Sequence, residues 1–138
     1  MIHDAEEFVR LRSSEDPAEY QRAANDPAET ATWMEIVYGF PEMRVWVAHN
    51  KTVPVQVLDV LLQDHNPEVR AAVAMKNKLS PEVLALLAQD VSDFVRERVA
   101  YNKNTPMDVL RVLSRDKCSS VAAQAQSRLE VAEGKSRA

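Results

Sequence analysis

Three histidines, one cysteine and two ladders of charged residues are the places where this chain could do chemistry. The histidines are His3, His49 and His65. No two of them form the His-x-x-x-His or His-Glu-x-x-His spacing that puts two imidazoles on one face of a helix to hold a metal. They read as solvated loop or tail residues without a carboxylate at helical spacing. Cys118 stands beside Lys117, and a nearby cation is one way to stabilise a thiolate. A single lysine is a weak activator, so the thiol reads as a half-buried structural residue. One cysteine also excludes a disulfide framework and any multi-cysteine zinc or iron–sulfur site. No catalytic residue, metal ligand or cofactor is therefore expected, and the chain is not expected to be an enzyme.

The ladders are the stronger signal. Arg44, Arg70 and Arg96 recur at every twenty-sixth position, as do Asp64, Asp90 and Asp116, and Ala48, Ala74 and Ala100. A row of aspartates could suggest a row of metal ions. Copies in a stacked helical array, however, lie about 10 Å apart, too far to share one ion. The aspartates are expected to accept hydrogen bonds from the next helix N-terminus or from the arginine ladder, whose guanidinium groups carry several donors.

The elements that must position these residues follow from the same period. Each copy reads as two short helices, A and B. Val69/Val73, Met43/Val47 and Val95/Val99 place apolar residues four apart, which is helical spacing. Asn66-Pro67, Ser80-Pro81 and Thr105-Pro106 each combine a capping side chain with a proline suited to the first helical turn. Before Val53-Pro54, Thr52 is expected to take the capping role. With only two glycines in the chain, Asn50, Asn77 and Asn102 are expected to close helix A in the left-handed conformation. Helix B carries Val57/Leu58/Leu61/Leu62, Val83/Leu84/Leu87 and Val109/Leu110/Leu113 on its apolar face. Asp16-Pro17-Ala18-Glu19 and Asp26-Pro27-Ala28-Glu29 predict two further helix starts, the second helix running to about Tyr38. At the other end Val121 and Ala125 continue the stripe, while Ala122 and Gln126 replace the ladder Arg and Ala, as an exposed terminal copy would.

The run from Val95 to Asp116, Val-Arg-Glu-Arg-Val-Ala-Tyr-Asn-Lys-Asn-Thr-Pro-Met-Asp-Val-Leu-Arg-Val-Leu-Ser-Arg-Asp, resembles the leucine-rich repeat variant, a bacterial repeat related to HEAT and armadillo repeats. The resemblance covers Pro41 to Asp116 well and both flanks weakly. It implies an all-α fold: a short right-handed α-solenoid of about four to five two-helix repeats, each as long as the ladder period. Some of its helices would be short or 3₁₀. Residues 15–129 would form this domain, with 1–14 an N-terminal tail or partial helix and 130–138 a disordered tail. The longest uncharged run, Cys118 to Ser127, is far too short to span a membrane, and the start of the chain lacks the pattern of a signal sequence. A cytoplasmic protein is expected.

Net charge is −4, which excludes a globally basic nucleic-acid binder. The charge is uneven: residues 1–42 carry −7 and residues 43–138 carry +3. Superposing the copies leaves three variable columns on helix B. They are Thr30, Gln56, Glu82, Asp108; then Trp33, Asp59, Ala85, Arg111; then Val37, Gln63, Gln89, Arg115. Stacking leaves such positions free, and free positions on the concave face of a solenoid are where specificity is placed. The expected function is thus a non-enzymatic protein-binding module, its partner unidentified, using Trp33, Asp59, Gln63, Gln89, Arg111 and Arg115. Trp33 and Trp46 are candidate anchors. The alternative is nucleic-acid binding through the inter-helix loops, which carry Lys51, Lys76/Lys78 and Lys103.

Overall fold

The computed structural model describes residues 1–137. Among them the chain is all-helical, with ten α-helices, one 3₁₀ turn, no strand and one isolated bridge. No helix among the described residues is long and apolar enough to cross a membrane. The chain divides into two compact units, Met1–Val73 and a second beginning at Ala74.

The first unit opens with α1 (Ala5–Ser13), α2 (Pro17–Asn25) and α3 (Thr30–Gly39). Asp4 starts α1 by accepting the Glu7 amide at 2.8 Å, and Asp16 starts α2 by accepting the Ala18 amide at 3.0 Å. Both caps satisfy an amide that a helix start leaves without a partner. The residues before Ala5 are held as well. The Ile2 amide donates to the Pro27 carbonyl at 2.8 Å, and the Ile2 side chain is buried. Asp26-Pro27 consequently does not begin a helix, contrary to the capping pattern. Ala28 bridges Ile2, and α3 starts at Thr30 after a Glu29 that makes no capping bond. The backbone pairing with Ile2 holds that stretch extended.

A 3₁₀ turn at Pro41–Met43 leads into α4 (Arg44–His49), followed by α5 (Val55–Leu61) and α6 (Pro67–Ala74), which starts in this unit. Asn66 caps α6 through the Glu68 amide at 2.9 Å. The core joins Phe8, Leu11, Trp33, Ile36, Val47, Val57, Leu58 and Leu61. Each fully buried side chain of this size contributes about 1.5–3 kcal/mol through removal from water.

The second unit contains α7 (Pro81–Leu87), α8 (Asp93–Tyr101), α9 (Met107–Leu113) and α10 (Ser119–Arg137). Ser80 caps α7 by accepting the Val83 amide at 3.2 Å. Leu84, Leu87, Val95, Val99, Leu110, Leu113, Val121 and Ala125 form its core, all at positions the apolar stripes assign. Helix α10 runs on through residues 130–137, the stretch expected as a tail; Ala138 lies outside the described residues.

Two of the expected caps take other work. Thr105 is buried and its hydroxyl donates to the Val99 carbonyl at 2.6 Å, tying the end of α8 to the loop instead of starting α9. Thr52 donates to Asn50 Oδ1 at 2.6 Å and to the Asp26 carbonyl at 3.3 Å. Helices α5 and α9 both begin after a proline with no side-chain cap.

Candidate functional site

The arginine and aspartate ladders are structural. Arg96 points its fork at Asp116, with Nε to Oδ2 at 2.8 Å and Nη2 to Oδ1 at 3.1 Å. Its Nη1 donates to the Asp90 carbonyl at 2.8 Å. Asp116 Oδ1 also accepts the Cys118 amide at 2.8 Å. The Arg96 hydrogen bond holds the Asp116 carboxyl below the usual carboxylate range, and Asp116 raises the Arg96 guanidinium in turn. Arg44 repeats the arrangement, with Nη1 to Asp64 Oδ2 at 3.1 Å and Nε to the Val37 carbonyl at 2.7 Å. Asp64 and Asp90 also accept the amide two positions ahead, from Asn66 and Ser92, each at 2.9 Å. Asp64 and Asp116 thus each organise the turn into the next helix while binding a ladder arginine of the same copy.

A further ladder, of side-chain donors at the helix ends, went unread in the sequence. Asn50 and Asn102 are buried, and neither takes the left-handed conformation expected of a closing residue; both are extended. Asn77 does not take it either, since no side-chain-bearing residue among the described ones has positive φ. At Asn50 and Asn102 the reason is the side chain. Asn102 Nδ2 donates to the carbonyls of Ala74 and Lys76 at 2.8 and 2.9 Å, while its Oδ1 accepts the Asn104 amide at 2.9 Å. Asn50 does the same with Ala23, Asp26 and the Thr52 amide. Helix ends leave carbonyls without partners, and these amides supply donors to the preceding copy. The ladder period carries the position on to Arg128, which donates to the Ala100 and Asn102 carbonyls at 2.7 and 2.9 Å. Lys76 holds the same position between Asn50 and Asn102; burial, then Lys78, pushes its amine down to about 8.

Of the histidines, His3 was misread. It lies four positions before Glu7, and both its amide and its ring Nδ1 meet Glu7 Oε2 at 3.1 Å. These contacts, the amide first, and then Arg22 lower the Glu7 carboxyl. Cys118 is half-buried, with Ser120 Oγ at 3.3 Å. No group of three or more His, Cys, Asp or Glu among the described residues is placed to hold a metal.

The helix B columns divide. Asp59 and Gln63 in the first unit, and Gln89, Arg111 and Arg115 in the second, are all exposed. Trp33 does not: it is 0% exposed, and Phe8 meets it edge-on with ring centroids 5.5 Å apart. Val37 is buried too. Helix α1 packs against α3 and covers the side of that helix which the superposition read as outward. Trp33 therefore leaves the candidate surface and joins the core. Trp46 is partly exposed, but the Arg12 guanidinium lies over its ring at 3.6 Å from the centroid.

The superposition also missed a column. Val60, Leu86 and Val112 repeat at the ladder period. In the second unit Leu86 is 57% and Val112 64% exposed. They stand on α7 and α9, beside Gln89, Arg111 and Arg115, the remaining second-unit candidates. The signal lay in the repeat register: these positions fall outside the helix B apolar face, but being aliphatic in all three copies they do not stand out among the variable columns.

The lysine loops divide as well. Lys51, Lys78 and Lys103 stand toward water, and Lys76 is half-buried. In the second unit Lys103 lines a groove of about 350 Å³ with Met75, Asn77, Arg98, Tyr101 and Asn102. The first unit has a groove of about 290 Å³ lined by Arg12, Tyr20, Gln21, Ala23, Ala24, Trp46 and His49. Ala23, Trp46 and His49 each stand two ladder periods before Met75, Arg98 and Tyr101. Both grooves are one repeated feature on the helix A side.

No family model, curated protein or solved structure matches this chain.

Proposed function

We propose that this chain is a short α-solenoid of leucine-rich-repeat-variant type and serves as a non-enzymatic protein-binding module. Its second unit engages the partner through the outward side of α7 and α9. The observation that carries this reading is the exposed pair Leu86 and Val112, beside Gln89, Arg111 and Arg115. Two large aliphatic side chains left in water at one repeat spacing serve no folding purpose, since burying them would be favourable. The buried core of an interface is apolar and arginine is enriched at interfaces, which fits an apolar pair with arginine at its margin. From Ala74 onward the chain carries eleven basic and eight acidic side chains, so the fitting partner is a protein surface with apolar residues and an acidic rim. Asp59 and Gln63 offer the first unit's own helix B positions.

The test is capture from cell extract with the wild type beside Leu86→Asp and the double variant Arg111→Ala/Arg115→Ala. A stoichiometric protein retained by the wild type and lost by both variants, with melting temperatures unchanged, is the expected result. Equal capture by all three, or no stoichiometric protein at all, defeats the reading.

A further inference from the structure

We propose that the groove on the helix A side of the second unit binds single-stranded nucleic acid, one nucleotide seated with its base on Tyr101 and its phosphate between Arg98 and Lys103. Three observations meet there. The groove is lined by Met75, Asn77, Arg98, Tyr101, Asn102 and Lys103, two cations and no acid, around about 350 Å³. Tyr101 is 54% exposed and Met75 52%, so a flat aromatic face and a polarizable thioether stand open at a basic opening. Arg98 is incompletely bonded: its guanidinium rests 4.9 Å from the Phe94 ring centroid, and its buried Nε has no hydrogen-bond partner.

Each feature points to a ligand with a planar face and an anionic group. Base-on-aromatic stacking tolerates any sequence, because every base has a π-face. Arginine and lysine supply the phosphate contacts that hold a strand in register. A buried donor left unbonded is costly, and an anion that draws the guanidinium toward the groove gives it a way to be satisfied. The same repeat position in the first unit shows what the groove accommodates: there the Arg12 guanidinium stacks on Trp46. In the second unit the cation is Arg98, at the position of Trp46, and the aromatic is Tyr101, at the position of His49. Arg98 rests over Phe94, so the exposed ring of Tyr101 is left open to a planar ligand. The charge of the second unit favours the same class, since it carries a net +3 within a chain of net −4.

The site is small, so binding is weak and shows best at low salt. The probe is a fluorescein-labelled ten-nucleotide oligothymidylate followed by anisotropy with the full chain. Two phosphate contacts on a single strand predict a log–log salt slope of about −1.4. Tyr101→Ala should weaken binding by roughly 10-fold, while Tyr101→Phe stays within about 2-fold of wild type, because the stack needs the ring and not the hydroxyl. Arg98→Ala and Lys103→Ala should each weaken binding and each flatten the slope by about 0.7. Tyr101 is exposed, so its variants should melt as the wild type does. Leu86→Asp should leave oligonucleotide binding unchanged, which separates this site from the helix B face. Three results overturn the proposal: no binding at low salt, Tyr101→Ala binding as well as wild type, or polyglutamate binding with the same dependence on Tyr101. The second would mark plain polyanion attraction and the third an acidic protein ligand.

Discussion

Replacing Arg96 with Met should be among the most damaging single changes outside the apolar core. The side chain is 8% exposed and that of its partner Asp116 9%. Three donors would be lost: two to the carboxylate and one to the Asp90 carbonyl. Methionine fills much of the volume, so the cost is electrostatic. It leaves a buried carboxylate whose remaining donor is the Cys118 amide, and a carbonyl short of its partner. Removing one member of a buried ion pair costs about 3–5 kcal/mol, because the other charge stays behind unpaired. For a chain of this length that is roughly a 10–20 °C fall in melting temperature. The double variant Arg96→Met/Asp116→Leu removes both charges. It should recover most of the loss, to within about 1–2 kcal/mol of wild type, as buried pairs exchanged for apolar residues often do. The assay is chemical denaturation of wild type, both single variants and the double, read as a double-mutant cycle. The sign with pH follows from the depressed Asp116 carboxyl. Its contribution is present above the ordinary carboxylate range and is lost as pH falls through its lowered value. The gap between wild type and Arg96→Met should therefore narrow in strong acid. An Arg96→Met cost under about 1 kcal/mol, or a coupling near zero, would refute the reasoning that the ladder is a buried, mutually satisfied network.

Asn102→Ala should cost about 2–3 kcal/mol by denaturant titration, since it strands a buried and a half-buried carbonyl and one amide; Asn102→Gln should not restore stability, because the longer side chain misplaces the amide. Leu84→Ala should cost about 2–5 kcal/mol in a thermal melt, because it empties a fully buried site. Gln89→Ala, just past the end of the same helix, should melt almost as the wild type does, as changes on a surface usually do. Lys76 should make stability rise with pH. Below its lowered value of about 8 the amine is charged in both states, whereas between there and the ordinary lysine range the folded state releases its proton first. Relative to Lys76→Met, the wild type should gain about 1–2 kcal/mol from pH 7 to pH 10.5, a figure reduced for the amine's partial exposure; a flat difference across that range would contradict the burial argument.

What the amino-acid sequence determined by itself is what repeats or acts over a few residues. The caps at Asp16, Asn66 and Ser80 operate within three positions of themselves, so composition and order suffice to place them. The stripes Val69/Val73 and Val95/Val99 follow from helical geometry alone. The Arg and Asp ladders were legible as partners of each other or of the next helix N-terminus, because they share one spacing and a pairing made in one copy can recur in the next. Of the candidate site, the freedom of Asp59, Gln63, Gln89, Arg111 and Arg115 from the core was legible in the register of helix B. The tertiary structure decided everything that depends on which distant segment arrives. Trp33 became core because α1 covers α3, and no local pattern around Trp33 encodes the position of Phe8, two helices earlier in the chain. Asp26-Pro27 lost its helix to a backbone pairing with Ile2. Asn50 and Asn102 needed no left-handed turn because carbonyls of the preceding copy were waiting for their amides. Thr105 likewise turned from the helix ahead to the Val99 carbonyl behind it. A capping side chain has one hydroxyl or amide to offer, and where a buried carbonyl competes for it, the carbonyl that would otherwise go unsatisfied wins.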